Sequence, residues 1–240
     1  MTLRRARLRD LMAAEWIKFF SLRSMPLSLL GLAVWYGYRG WRGTNVFGHG
    51  VEWFPVMAGT GALGALTVVS EHASGLIRTT FTAVPDRLRV AAAKTAVLTA
   101  VMAGFGVAVT GEVYGLSSRH VSLALTAPGV AALLVSTVVL MPLCALIGMA
   151  FGALIRNTAA SMVAVCAFFL MVPLLFKSPT TRWSIDVGNA LPCYAWARLG
   201  LLGHGKVVGG ETFTAALAAF VLWPLVSAAV VAVVLDRRDV

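Results

Sequence analysis

Pro128-Gly-Val-Ala-Ala-Leu-Leu-Val-Ser-Thr-Val-Val-Leu-Met-Pro-Leu-Cys-Ala-Leu-Ile-Gly-Met-Ala-Phe-Gly-Ala-Leu-Ile155 carries no charged side chain over its whole length. An uninterrupted apolar run longer than about 18 residues crosses the roughly 30 Å hydrocarbon core of a bilayer as a helix. Working outward from it, five further runs are predominantly apolar, at about 25–38, 53–70, 91–114, 159–176 and 213–235. The whole chain agrees: of 240 residues, 59% are hydrophobic and 12% charged, where soluble domains carry about 25% charge. A soluble globule is excluded, and the expected fold class is an all-α integral membrane protein with six transmembrane helices. At about 20 residues per span, what remains suffices for short connections and no large extramembrane domain. The first run is short and spans only if its flanks, 19–24 or 39–41, extend it with snorkelling side chains.

The net charge of +10 lies at the flanks of the apolar runs, as the positive-inside rule describes, and points to a lipid bilayer and not to nucleic acid. With both termini on one side, thirteen of the 20 basic residues fall on that side and seven on the other, so N- and C-termini are expected in the cytosol. The start, Thr2-Leu-Arg-Arg5-Ala-Arg-Leu8, resembles a signal segment, but Asp10, Glu15 and Lys18 interrupt its apolar region, and it is read as retained.

Three segments outside the spans have helical patterning. Residues 1–23 form an expected amphipathic interfacial helix on the cytosolic side. In it Leu8, Leu11, Met12, Trp16, Phe19 and Phe20 share a stripe, and Arg5, Arg9, Asp10 and Lys18 turn toward headgroups. Residues 24–240 make up the six-helix transmembrane domain. Between its second and third spans, Ile77, Phe81 and Val84 recur at i, i+4 and i+7, and Pro85 ends a short helix of about 73–85. Between the fifth and sixth, 177–211 places Val187, Ala190, Leu191, Tyr194, Arg198 and Leu201 at helical spacing around Pro192, an expected external helical hairpin dipping into the outer leaflet.

Sequence motifs for chemistry are weak. Gly59-Thr-Gly61-Ala-Leu-Gly64 matches a dinucleotide fingerprint, but lies within a span, where close helix packing explains it. Gly200-Leu-Leu-Gly-His-Gly-Lys206-Val207 nearly spells a phosphate loop, but has Val207 in place of the Ser or Thr that binds Mg. Gly148 and Gly152 form a GxxxG step suited to close approach of another helix. Cys144, Cys166 and Cys193 have no metal or redox spacing, and His49, His72, His120 and His204 read as solvated loop residues. Glu71 and Glu112, near span ends, are ionisable groups read first as boundary anchors within reach of headgroups or water. Ser70, Glu71 and His72 are too close in sequence to share a helix face, so they form no triad.

Two clusters carry a resemblance that extends over the whole chain: Glu15-Trp-Ile-Lys18 with Ser21-Leu-Arg23-Ser24, and Glu71 with Gly75, Arg78-Thr-Thr-Phe-Thr82, Pro85, Arg87 and Lys94. With Arg156-Asn-Thr-Ala-Ala160 and Leu191-Pro192, they make the chain resemble the permease subunits of ABC-2 type exporters, particularly those of high-GC actinobacteria. The abbreviated first span, and Phe81 where leucine is commoner, depart from that pattern. The resemblance implies a subunit of the bacterial plasma membrane that pairs as a homodimer or with a paralogous permease and recruits a separate ATP-binding subunit. ATP and Mg would bind that partner, leaving no cofactor, metal or catalytic residue in this chain.

The coupling residues it implies are Glu71, Gly75, Ile77, Arg78, Phe81, Val84, Pro85 and Arg87. Ile77, Phe81 and Val84 would enter a groove of the ATPase, with Arg78 and Arg87 at its rim. Glu15, Trp16, Lys18 and Arg23 belong to the interfacial helix, and Gly148 and Gly152 to helix packing. Met141, Met149, Met162, Met171, Phe168 and Phe169 in the apolar spans are read first as lipid-facing and second as the lining of an apolar path; with the resemblance, such spans suit export of a hydrophobic or amphiphilic compound such as an antibiotic, peptide or lipid, with antibiotic resistance as the outcome. Two other classes stand beside this one. An ion-coupled transporter or channel needs ionisable groups at mid-membrane, and an intramembrane lipid-modifying enzyme needs clustered acids or a nucleophile at one depth.

Overall fold

A helix satisfies its own backbone donors and acceptors, which is why apolar runs of this length fold as helices in lipid. The computed structural model describes residues 7–42, 53–75, 86–117, 127–176, 181–200 and 213–237. These form nine helices: α1 (Leu8–Ser21), α2 (Ser24–Trp41), α3 (Phe54–Ala73), α4 (Arg87–Ser117), α5 (Ala127–Ile155), α6 (Thr158–Leu175), α7 (Arg182–Ala190), α8 (Pro192–Gly200) and α9 (Phe213–Arg237). Five of them, α3, α4, α5, α6 and α9, are each long and apolar enough to cross a membrane, and the bent pair of α1 and α2 supplies a sixth if taken as one span. The chain is a multi-pass, all-α membrane protein.

The bundle is built around α3 and α5, its most extensive helix pair. Lipid tails are as apolar as leucine, so helices in a bilayer are held by close packing, which small residues permit. A Cβ on Gly64 would collide with the Ala145 carbonyl, and one on Gly148 with the Gly61 carbonyl. A Cβ on Gly152 would stand 2.7 Å from the Ala65 carbonyl. The glycines of 59–64 and the GxxxG step thus meet each other inside one chain. A similar approach brings α4 onto α5 where Pro142 interrupts the ladder. Proline has no N–H to give to Val138, four residues earlier, and a Cβ on Gly106 would lie 2.8 Å from that same Val138 carbonyl.

α5 turns into α6 within two residues. Arg156 takes the left-handed φ of 55°, a conformation glycine usually supplies at a helix end, and the Asn157 side chain caps α6 by accepting from the Ala160 N–H at 3.0 Å. Within α6, Ala167–Met171 forms a π turn. Its extra residue lets two neighbouring rings face inward: Phe169 against α3 at Gly61, and Phe168 against Phe151 and Trp223.

The hairpin segment holds α7 and α8, joined at extended Leu191; residues 177–180 and 201–211 lie outside the described residues. Trp223, the eleventh residue of α9, donates to the Ala190 carbonyl at 2.6 Å. At 1.5 Å rise per residue that contact is about 15 Å from the start of α9. Trp196 of α8 donates to Thr137 of α5 at 3.0 Å and packs tilted against Trp53, which stacks on Tyr36 of α2. The hairpin is thus seated on Trp53 at the start of α3 and on positions about three turns into α5 and α9, and α1 lies at the opposite end of α3.

Because the obstacle at Gly148 is backbone, Gly148→Leu is expected to cost at least the roughly 1–3 kcal/mol of overpacking. It should melt well below wild type in detergent, while Gly104→Ala, where nothing lies within 4 Å of the added carbon, should melt unchanged.

Candidate functional site: a closed ring of charges under α1

Four ionisable residues from three helices meet at the α1 end. Glu15 and Lys18 lie one turn apart on α1, Glu71 is in the last turn of α3, and Lys94 is in the second turn of α4. The Lys18 ammonium donates to Glu15 Oε1 at 2.6 Å and to Glu71 Oε1 at 3.1 Å. The Lys94 ammonium donates to Glu15 Oε2 at 2.7 Å, to Glu71 Oε1 at 2.9 Å and to the Thr67 carbonyl at 3.3 Å. Each carboxylate thus faces both ammonium groups, and the ring closes with no net charge.

Burial gives the ring its weight. Lys94, Glu15 and Glu71 have side chains 6%, 7% and 9% exposed, and Lys18 32%. Taking such charges out of water costs several kcal/mol each, recovered only where partners and geometry are good. Lys94 meets that condition with all three of its N–H donors engaged. The ring is the polar tie by which α1 is fastened to the bundle, and the 68° bend at Leu22 and Arg23 turns α1 across it.

Two expectations change here. Lys18, expected to turn toward headgroups, is drawn inward by Glu71, and the face of α1 toward the bundle is Glu15 with Phe19 and Met12, while Leu8, Trp16 and Phe20 are 42–48% exposed. Glu71, expected at a boundary within reach of water, is buried between two lysines. The sequence marked Glu15, Lys18, Glu71 and Lys94 separately, but their pairing spans 79 positions and leaves no periodic signal. The i, i+3 spacing of Glu15 and Lys18 was its one local sign.

Other singled-out residues lie nearby. Gly75 closes α3 in the left-handed conformation, φ 71°, with its N–H donating to the His72 carbonyl at 3.3 Å. Arg87 opens α4 and donates to the Leu235 and Asp236 carbonyls at 3.5 and 3.3 Å, placing a cation at the negative end of α9. Arg23 is exposed at the bend and Trp16 on the outer face of α1. Ile77, Arg78, Phe81, Val84 and Pro85, and with them most of the expected 73–85 helix, lie outside the described residues. His72, expected on a loop, sits in α3 with Nδ1 3.0 Å from the Val68 carbonyl, and Ser70 donates to Leu66, so the 70–72 side chains diverge. Glu112 is exposed on α4, across from Gly37 of α2. Among the described residues, no three His, Cys, Asp or Glu side chains gather to hold a metal.

Removing one partner of a buried ion pair costs about 3–5 kcal/mol, so Lys94→Met is expected to loosen α1 strongly. Lys18→Met, at a partly solvated position, should cost about 1 kcal/mol or less. Trypsin cleavage after Arg23 reports this directly: it should accelerate at least tenfold in Lys94→Met and by less than threefold in Lys18→Met. Compared with known proteins, the chain matches no family model and no curated protein.

Proposed function

We propose that this chain is the permease subunit of an ATP-driven exporter of the ABC-2 type, working with a separate ATP-binding subunit and pairing with a second permease. The observation that carries the reading is the convergence at one end of the bundle. There α1 is ion-paired to α3 and α4, Gly75 and Arg87 bracket the connection between them, and Arg87 holds the end of α9. A soluble subunit pressing on residues 73–85 and on α1 would load α3 and α4 through the ring, and α3 would pass that load to α5 through their glycine contact.

ATP-driven closure of the partner would shift the population between two arrangements of the paired permeases, with no chemistry in this chain. The positive-inside rule supports a cytosolic location for this end and for both termini, in a bacterial plasma membrane. The substrate proposed is hydrophobic or amphiphilic, in keeping with the apolar spans, and export of an antibiotic would confer resistance.

The buried ring also favours a second reading, an ion-coupled transporter, because ionisable groups inside membrane proteins commonly carry protons or ions. Its place at the end of the bundle argues against this, since coupling sites of such transporters lie near the midplane. Affinity purification of tagged chain in mild detergent, followed by intact-complex mass, separates the two. An ATPase at equal stoichiometry is expected, and a stable oligomer without one would sink the exporter reading. Phe81→Asp or Ile77→Asp, by placing a charge in an apolar groove contact, should leave insertion intact and lower co-purified ATPase at least tenfold.

A further inference from the structure

Against the ring, whose Glu15, Lys18, Glu71 and Lys94 all line it, α1, α2, α3 and α4 enclose a half-open cavity of about 210 Å³. One wall is apolar, formed by Phe19, Met25, Val97 and Leu98. The other is the edge of α3, where Thr67, Ser70 and Ser74 line the cavity with Glu71 among them. Each of the three hydroxyls donates its hydrogen to its own helix, to the carbonyls of Gly64 at 2.7 Å, Leu66 at 2.6 Å and Ser70 at 2.7 Å. Ser21, across the mouth, donates likewise to Lys18 at 2.9 Å. A hydroxyl so engaged keeps only lone pairs for a neighbour. The hydroxyl edge of α3 therefore offers acceptors without donors, next to a carboxylate and opposite a greasy surface, while the two ammonium groups that also line the cavity, Lys18 and Lys94, are engaged with the carboxylates of the ring.

We propose that this cavity binds an amphiphile headed by a primary ammonium group, either an aminolipid or a single-chain amine. An ammonium brings three N–H donors to a wall of acceptors, and the ring, being neutral, sets up no net positive field against it. The ring also has a side that can yield. Lys18 to Glu71 is its longest bond, 3.1 Å, and Lys18 is its most exposed member, 32%. A ligand ammonium can take that place at Glu71 while Lys94 holds both carboxylates and Lys18 keeps its 2.6 Å bond to Glu15. A quaternary ammonium, with no N–H, has nothing to give the hydroxyls.

The test uses the purified full-length chain in nanodiscs, without an ATPase, so its failure and the failure of the exporter reading are separate events. Dodecylammonium is expected to bind saturably at least tenfold more tightly than dodecyltrimethylammonium. Ser70→Ala, which deletes an acceptor, and Ser74→Phe, which obstructs the exposed mouth, should each weaken it at least threefold at unchanged melting temperature. Lys18→Met, which frees an edge of Glu71, should tighten it. Equal binding of the two ammonium probes, or indifference to both serine variants, overturns the proposal. Intact-complex mass then distinguishes the sources: co-purified phosphatidylethanolamine displaced by dodecylammonium identifies the lipid headgroup, and dodecylammonium binding to lipid-free chain identifies a soluble amine.

Discussion

Where Gly64, Gly148 and Gly152 cross between α3 and α5 there is no space for a Cβ, and the remaining helices are arranged around that fact. In water a helix pair is driven together by the apolar surface it hides, but in lipid that drive is absent and distance of approach takes its place. Gly61, Gly64, Gly148 and Gly152 bring two backbones to within van der Waals contact, so the axes of α3 and α5 are fixed with little freedom to slide. The ties to α1 and to the hairpin lie toward opposite ends of α3. The charge ring grips the last turn of α3 at one, and at the other the Tyr36, Trp53 and Trp196 rings close over the start of α3, with Trp196 reaching Thr137 about three turns into α5.

The two ends differ in what they resist. Aromatic rings held at 5.3 and 5.5 Å gain mainly from area and shape, so small relative movements of α2, α3 and α8 change their energy gradually. The ring of ions is steep by comparison: displacing one ammonium by a few ångströms leaves a buried carboxylate short of a partner. A lever attached through the second kind of contact transmits displacement with little slack, which suits α1 to the part proposed for it.

Much of the fold was legible because its signal is one-dimensional. Each of the six apolar runs reappears as a helix within a few residues of its expected bounds, and the glycines of 59–64 pack as helix-contact residues. The Asn157 cap follows from a local pattern as well. What escaped the sequence is what depends on rotation or on distant pairing. The stripe of α1 counted Lys18 as an outward residue because periodicity scores polarity and cannot see that a carboxylate from α3 and an ammonium from α4 await that face. The π turn in α6 breaks the 3.6 period on which any stripe reading rests, so Phe168 and Phe169 could not be assigned one side.

That π turn has a consequence for how α6 tolerates change. A π turn takes up one added residue without the roughly 100° advance that residue would bring to a regular α-helix, so the two halves share one buried face: Ser161 and Val165 before the break, and Phe169 and Pro173 at the same four-residue spacing through it. Loss of a single residue within 167–171 would let the segment close as a regular α-helix with its two halves still in phase. The Pro173 carbonyl would keep its place beside the Tyr194 hydroxyl that donates to it at 2.7 Å, and what would be lost is the inward placing of the adjacent Phe168 and Phe169 rings. Homologues one residue shorter here should therefore keep the hairpin contact and differ in the aromatic residues of this turn, a covariation between helix length and the rings it carries.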